Sequence, residues 1–210
     1  MIHKDALYVA EWLVDELRPG CERIEIAGSI RRGKLDVKDI EIVAIPILKP
    51  PRPEFGKPVD KTPLDGILRQ LVEPDGMLKP VKGGDKFKQF EIRRLAEFGI
   101  AEPLYPFKLD LFLVTPPSQW GVEFMIRTGP SDFSQWMVTQ KSKGGALPDG
   151  YFVRHNVVWA EGTEVPNKAV DSIEIMCELN SVEMPEEEDY FELCGLMPVI
   201  EPEKRVAQWR

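Results

Sequence analysis

Histidine and cysteine are scarce in this chain of 210 residues. Its two histidines, His3 and His155, lie far apart, and its three cysteines, Cys21, Cys177 and Cys194, are odd in number and widely spaced. Neither set supports a zinc site or a disulfide framework, and the thiols suit a reducing cytoplasm. The histidines read as surface or structural residues. Long apolar runs are missing too: none approaches the roughly 18 residues of a membrane helix. The opening MIHKDALYVAEWLVDELRPG sets acids among its apolar positions, unlike a secretory signal. There is no internal repeat. Nor is there an overall basic charge, since the formal net charge is −8.

That acidity is concentrated. The stretch Asp171 to Glu192 holds nine acids and no Lys or Arg, and the other 26 acids face 27 bases in the rest of the chain. Within that near-neutral remainder, Arg31, Arg32, Lys34 and Lys38 cluster, as do Lys82, Lys86, Lys88, Arg93 and Arg94. Either cluster could be a solvated face. Screening confines fields to about 10 Å at moderate salt, so a local basic groove can still hold a phosphate chain.

Apolar spacing predicts a first helix through Ala6, Leu7, Ala10, Leu13, Val14 and Leu17, ended by Pro19-Gly20. ERIEIAG and DIEIVAIPIL read as strands, the second burying Ile40, Ile42 and Ala44. Six prolines between Pro46 and Pro63 require a loop or hairpin excursion. Leu64 to Leu71 reads as a short helix, GMLKPVKGG and KFKQFEIRR as two strands, and FKLDLFLV as a further strand. After Pro116-Pro117, Ser118 suits the N-cap of a helix QWGVEFMIRT. SDFSQWMVTQKSK then reads as a helix, YFVRHN and VVW as a hairpin, and EEEDYFELCGL as a last helix ending at Gly195. The expected fold class is α+β, with residues 1–116 as one unit and 117–210 as another.

Two strands carry acids at apolar-flanked positions. Side chains at i and i+2 of a strand share a face, so Asp39 and Glu41 project together while Ile40 and Ile42 enter the core. Asp110, between Leu109 and Leu111, sits alike on another strand. If those strands are neighbours, three carboxylates converge, and a hard divalent cation relieves their repulsion with the oxygen ligands it prefers. The alternative is a solvent-facing row of acids. The preceding stretch favours the first reading. Gly28-Ser29 follows a strand and opens a turn of helix, which offers N–H groups and a hydroxyl to an anion, and Arg31 and Arg32 add forks suited to phosphate.

GSIRRG followed by DIEIV resembles the signature of the nucleotidyltransferase superfamily, and specifically of family X, the DNA polymerase beta-like enzymes. Gly28, Ser29, Arg31, Arg32, Gly33, Asp39 and Asp110 match that pattern, and Glu41 replaces its second Asp. KFKQFEI, RTGPSDFSQWM and YFELCGLMPVIEPEKR resemble later family segments in the same order, so the likeness spans roughly residues 20 to 207. It implies a nucleotidyltransferase palm with a mixed sheet over 1–116, carrying one N-terminal helix, and a small α/β thumb over 117–210. A lyase or helix-hairpin-helix domain is not expected.

The same resemblance implies a minimal polymerase that adds dNMP from dNTP to a DNA 3′-OH in repair or gap filling. Two Mg²⁺ ions, with Mn²⁺ as an alternative, would be held by Asp39, Glu41 and Asp110, the catalytic carboxylates. Gly28, Ser29, Arg32, Lys38, Thr128, Gly129 and Ser134 would bind the nucleotide. Arg31, Lys86, Lys88, Lys141 and Lys143 are candidates to touch a DNA primer-template. The protein is expected to be a cytoplasmic monomer of bacterial, archaeal, phage or viral origin, away from membranes. Ile126-Arg127 stands where the family often has an aromatic associated with sugar selection, so NTPs are expected as substrates beside dNTPs. Two rivals stand beside this reading: a related enzyme that modifies RNA, a small molecule or a protein, and a non-catalytic nucleic-acid-binding module.

Overall fold

The computed structural model describes residues 1–48, 61–101, 106–115, 117–166 and 180–209. Most of the proline-rich excursion, Pro116, Cys177 and the first part of the acidic run lie outside the described residues. The chain divides into two compact units, Met1–Leu113 and Val114–Arg210. Among the described residues, no helix is long and apolar enough to cross a membrane.

The first unit is built on a five-stranded sheet. Helix α1 (His3–Leu17) buries Ala6, Val9, Ala10, Leu13, Val14 and Leu17. Val9 is fully buried, whereas Leu7, counted in the apolar stripe above, is only partly buried. A 3₁₀ turn, Arg18–Gly20, leads into β1 (Cys21–Ile26). Gly20 lets α3 (Pro63–Val72) approach closely, because a Cβ there would lie 2.6 Å from Leu64 Cα. The single-turn helix α2 (Gly28–Arg31) joins β1 to β2 (Asp39–Pro46). Then come β3 (Leu78–Lys82), β4 (Phe87–Ile92) and β5 (Lys108–Leu113).

The strand order is β1-β2-β5-β4-β3, with β2 and β5 parallel and all other neighbours antiparallel. Alternation divides the sheet into two faces. Ile40, Ile42, Ala44, Leu109, Leu111, Leu113, Phe90 and Ile92 join the core formed with α1 and α3. Asp39, Glu41, Lys108, Asp110 and Gln89 occupy the other face.

The second unit contains α4 (Trp120–Thr128), α5 (Ser131–Met137), the three-stranded sheet β6 (Tyr151–Arg154), β7 (Val157–Ala160) and β8 (Ser181–Val182), and α6 (Glu187–Cys194). Its core gathers Val122, Met125, Phe133, Met137, Leu147, Val158, Tyr190 and Phe191. Helix α4 starts one residue later than Ser118 would cap it: its N-cap is Gln119, and the Ser118 hydroxyl donates instead to the His155 carbonyl at 3.3 Å. Gln119 secures this corner by donating to the Val182 carbonyl at 2.9 Å and accepting from the Val158 amide at 3.3 Å. The SDFSQWMVTQKSK segment is split into α5 and a 3₁₀ turn at Lys141–Lys143.

An ion pair is buried in this unit. Arg205 donates to Glu187 Oε1 at 2.7 Å and to the Ile200 carbonyl at 3.1 Å, and its guanidinium lies 5.0 Å from the Phe191 ring centre. Both side chains are almost wholly buried, at 0% and 4% exposure. Removing one partner of such a pair strands the other charge at a cost of about 3–5 kcal/mol. Arg205→Met is therefore expected to destabilise the protein by about that amount. Adding Glu187→Gln should recover most of the loss, as read by urea denaturation of both variants.

Candidate active site

Parallel pairing of β2 with β5 sets Glu41 directly beside Asp110 and Asp39 beside Lys108. Asp39 and Glu41 share a face by the two-residue repeat of the strand. The three acids predicted from sequence thus lie on one side of the sheet, all partly buried. Their closeness is visible in their chemistry. Burial pushes the Asp39 carboxyl above the usual carboxylate range, and the Asp110 charge raises it further, while Lys38, Arg32 and Lys108 pull it down.

The acids are not gathered into a ready-made metal site. Among the described residues, no group of three or more His, Cys, Asp or Glu side chains is arranged to hold a metal ion. Two of the acids have close neighbours on this face. Gln89, opposite Asp110 on β4, donates to Asp110 Oδ1 at 2.7 Å. The Glu41 carboxylate folds back over Gly28, where a Cβ would lie 1.8 Å from Glu41 Oε2. The donor set still suits a hard divalent ion: oxygen ligands on adjacent rungs of one face, with Asp39 held back from ionising by burial and a like charge.

Gly28 is required twice. Its φ of +62° is in the left-handed region, and its missing side chain leaves room for the Glu41 carboxylate. Beside it the Ser29 hydroxyl oxygen is buried with no hydrogen-bond partner, an uncommon state for a buried polar atom. Arg31 and Arg32 are both partly buried, and Arg32 caps α2 through its amide bond to the Gly28 carbonyl at 3.1 Å. The loop after them is pinned to the start of the chain, since His3 N–H donates to the Leu35 carbonyl and Val37 N–H to the Met1 carbonyl, each at 2.9 Å. That ladder fixes exposed Lys38 immediately before Asp39.

The remaining predicted residues fall elsewhere. Lys86 is exposed at the turn before β4. Lys88 alternates with Gln89 and so projects to the helix side, away from the carboxylates, where it pairs with Asp65 at 3.3 Å. Thr128, Gly129, Ser134, Lys141 and Lys143 belong to the second unit. Thr128 is fully buried, and the Ser134 hydroxyl is committed to the Ile126 carbonyl at 2.7 Å. Phe133 and Ser134 press on Gly129, where a Cβ would meet both within 2.7 Å. Lys141 and Lys143 are exposed.

Sequence reasoning missed Gln89 and Lys108. The two-residue rule that pairs Asp39 with Glu41 also pairs Lys108 with Asp110, so that signal was present. Gln89 reaches Asp110 only through the antiparallel register of β4 with β5, which no local pattern specifies.

The raised carboxyl has a consequence for stability. The folded state holds the Asp39 proton more tightly than the unfolded chain does. Asp39 therefore favours folding at low pH and loses that advantage as pH rises through its elevated pKa. Asp39→Asn should be more stable than the parent at pH 7 and show no such gain at pH 3. Urea denaturation in excess chelator at the two pH values measures this.

No protein-family model matches the sequence, and no curated protein matches it. The fold does have solved counterparts. The chain is similar to polymerase beta of Leishmania infantum in a ternary P/T complex, with a TM-score of 0.68 and 18% identity over 98% of this chain and 76% of that one. It is equally similar to the same organism's polymerase beta in a ternary gap complex, with a TM-score of 0.68 and 19% identity over 98% and 70% of the two chains. At such identity the likeness concerns the fold: this chain has a polymerase beta-like fold, mixed α and β around a five-stranded mixed sheet.

Proposed function

We infer that this protein is a DNA polymerase-type nucleotidyltransferase that adds a nucleotide from a dNTP to a primer 3′-OH. The observation that carries the reading is the co-facial set of Asp39, Glu41 and Asp110 beside the Gly28-Ser29 turn. The polymerase beta-like fold supports it, and the two solved counterparts named above are ternary complexes of polymerase beta.

In this reading Asp39, Glu41 and Asp110 would hold two divalent ions, Mg²⁺ or Mn²⁺. When bound, such ions neutralise charge on the phosphoryl oxygens and activate the attacking hydroxyl. The chain supplies the rest by positioning. Ser29 offers its buried, unpartnered hydroxyl to a phosphate oxygen of the nucleotide. Arg32 and Lys38 sit within electrostatic reach of Asp39 and so flank the carboxylates with positive charge for the triphosphate. Gln89 orients Asp110 by donating to its Oδ1. Asp110 accepts the proton of the primer hydroxyl.

In this reading the second unit is the thumb, where fully buried Thr128 contributes by shaping the turn at Gly129 and not by direct contact. The Ser134 hydroxyl, which donates to the Ile126 carbonyl, braces the Gly129 turn. Arg31, Lys86, Lys141 and Lys143 contribute to holding DNA.

Extension of a labelled primer on gapped and recessed DNA with Mg²⁺ or Mn²⁺ tests this reading. Asp110→Asn should lower the rate at least about 100-fold while leaving dNTP binding largely intact. Failure of the parent protein to extend any primer would refute the polymerase reading. Extension by Asp110→Asn at the parental rate would refute the role given to Asp110.

A further inference from the structure

Two of the acids stand in a row that continues to the edge of the sheet. Glu41 on β2 pairs in register with Asp110 on β5, Asp110 with Gln89 on β4, and Gln89 with Lys82 on β3. Residues paired in register share a face, so all four side chains project to the carboxylate side. A bulge between Pro80 and Lys82 sets the last of these pairings. Without the extra residue Val81, strand alternation would turn Lys82 to the helix side; bulges beside active sites commonly re-aim a side chain in this way. At the other end of the row the Glu41 carboxylate lies over Gly28. The order across the sheet is therefore the Gly28-Ser29 turn, Glu41, Asp110, Gln89 and Lys82.

Lys82 is not spent on a neighbouring acid. Glu91, two residues from Gln89 on the same face of β4, is held by Lys79 at 3.1 Å, and Asp85 in the turn is held by Lys61 at 3.0 Å. Exposed Lys82 makes no ion pair among the described residues. Nor does it serve the carboxylates: the cations acting on Asp39 are Lys38, Arg32 and Lys108. Two strand spacings of about 4.8 Å put Lys82 about 10 Å from the Asp110 strand, roughly one screening length at moderate salt. The bulge thus aims a cation at the carboxylate face without bringing it to the carboxylates.

We propose that Lys82 binds the backbone of the primer strand, at the second or third internucleotide phosphate from its 3′ end. This contact rests on the polymerase reading, which sets the direction of the strand. In phosphoryl transfer the attacking and leaving oxygens lie roughly in line through the phosphorus. The leaving pyrophosphate belongs to the Gly28-Ser29 end of the row, so the attacking 3′-OH reaches Asp110 from the opposite side, across β4 and β3. The strand then passes Gln89, a neutral side chain that repels no phosphate, and meets Lys82. About 10 Å corresponds to about three nucleotides at a rise of about 3.4 Å each, and the flexible lysine stem absorbs the difference.

Fluorescence anisotropy on a recessed primer-template, without nucleotide, tests this. Lys82→Ala should bind the DNA about fivefold or more weakly at about 0.1 M salt, and the slope of log affinity against log salt should fall in magnitude by about 0.9, the share of one phosphate contact. Lys82→Arg should keep the parental slope. Uncharged methylphosphonates at the second and third primer phosphates should weaken binding by the parent and leave Lys82→Ala unaffected, whereas the same change in the template strand should weaken both alike. Melting temperatures establish that each variant is folded. Parental affinity and salt slope in folded Lys82→Ala, or a Lys82-dependent sensitivity that follows the template phosphates, would overturn the proposal. A parent that binds DNA through Lys82 but extends no primer would instead refute the polymerase reading and keep the contact.

Discussion

The parallel pairing of β2 with β5 is the constraint on which the site depends. It is the only parallel pair in the five-stranded sheet, and it brings Glu41 level with Asp110 across 69 positions of sequence. Because side chains alternate along a strand, a slip of one residue would send Asp110 into the core and Leu109 or Leu111 to the carboxylate face. Burying an unpaired carboxylate costs several kcal/mol, and exposing a leucine forfeits about 2 kcal/mol of burial. The same hydrophobic pattern that builds the core therefore holds the acids together. Core and site are specified by one register.

That arrangement stores repulsion. Asp39 is held in its protonated form more readily than an ordinary carboxyl because it is partly buried and faces Asp110. The protein offsets the repulsion in part with Arg32, Lys38 and Lys108, and with the Gln89 hydrogen bond to Asp110. The Glu41 carboxylate lies over Gly28, a position that only glycine can occupy there without collision. The extra methylene of Glu over Asp gives this side chain the reach to do so. A region that keeps costly carboxylates on a sheet face, beside a buried serine hydroxyl with no partner, is disfavoured on stability grounds alone. Such conflicts are expected where a sequence serves binding or chemistry before stability.

Much of this was legible in the sequence because it follows from short-range periodicity. The two-residue repeat of DIEIVAIP and KLDLFL marks the core face and the acid face of β2 and β5 directly. The helical stripe of α1 and the Gly195 stop of α6 are equally local signals. What escaped depends on partners distant in the chain. The hydroxyl of Ser118 could cap α4, but the His155 carbonyl, 37 positions away, accepts it instead. Lys88 reads as one more base in a cluster, yet strand alternation turns it to the helix side and Asp65 takes it.

The central claim is that Asp39, Glu41 and Asp110 act together on divalent metal, and the most direct measurement is anomalous diffraction from crystals grown with Mn²⁺ and a non-hydrolysable dNTP. The account predicts anomalous peaks within bonding distance of oxygens from all three side chains, with Glu41 swung off Gly28 and the triphosphate against Ser29. Mn²⁺ bound elsewhere, or at only one of the three acids with the nucleotide remote from Ser29, would contradict it.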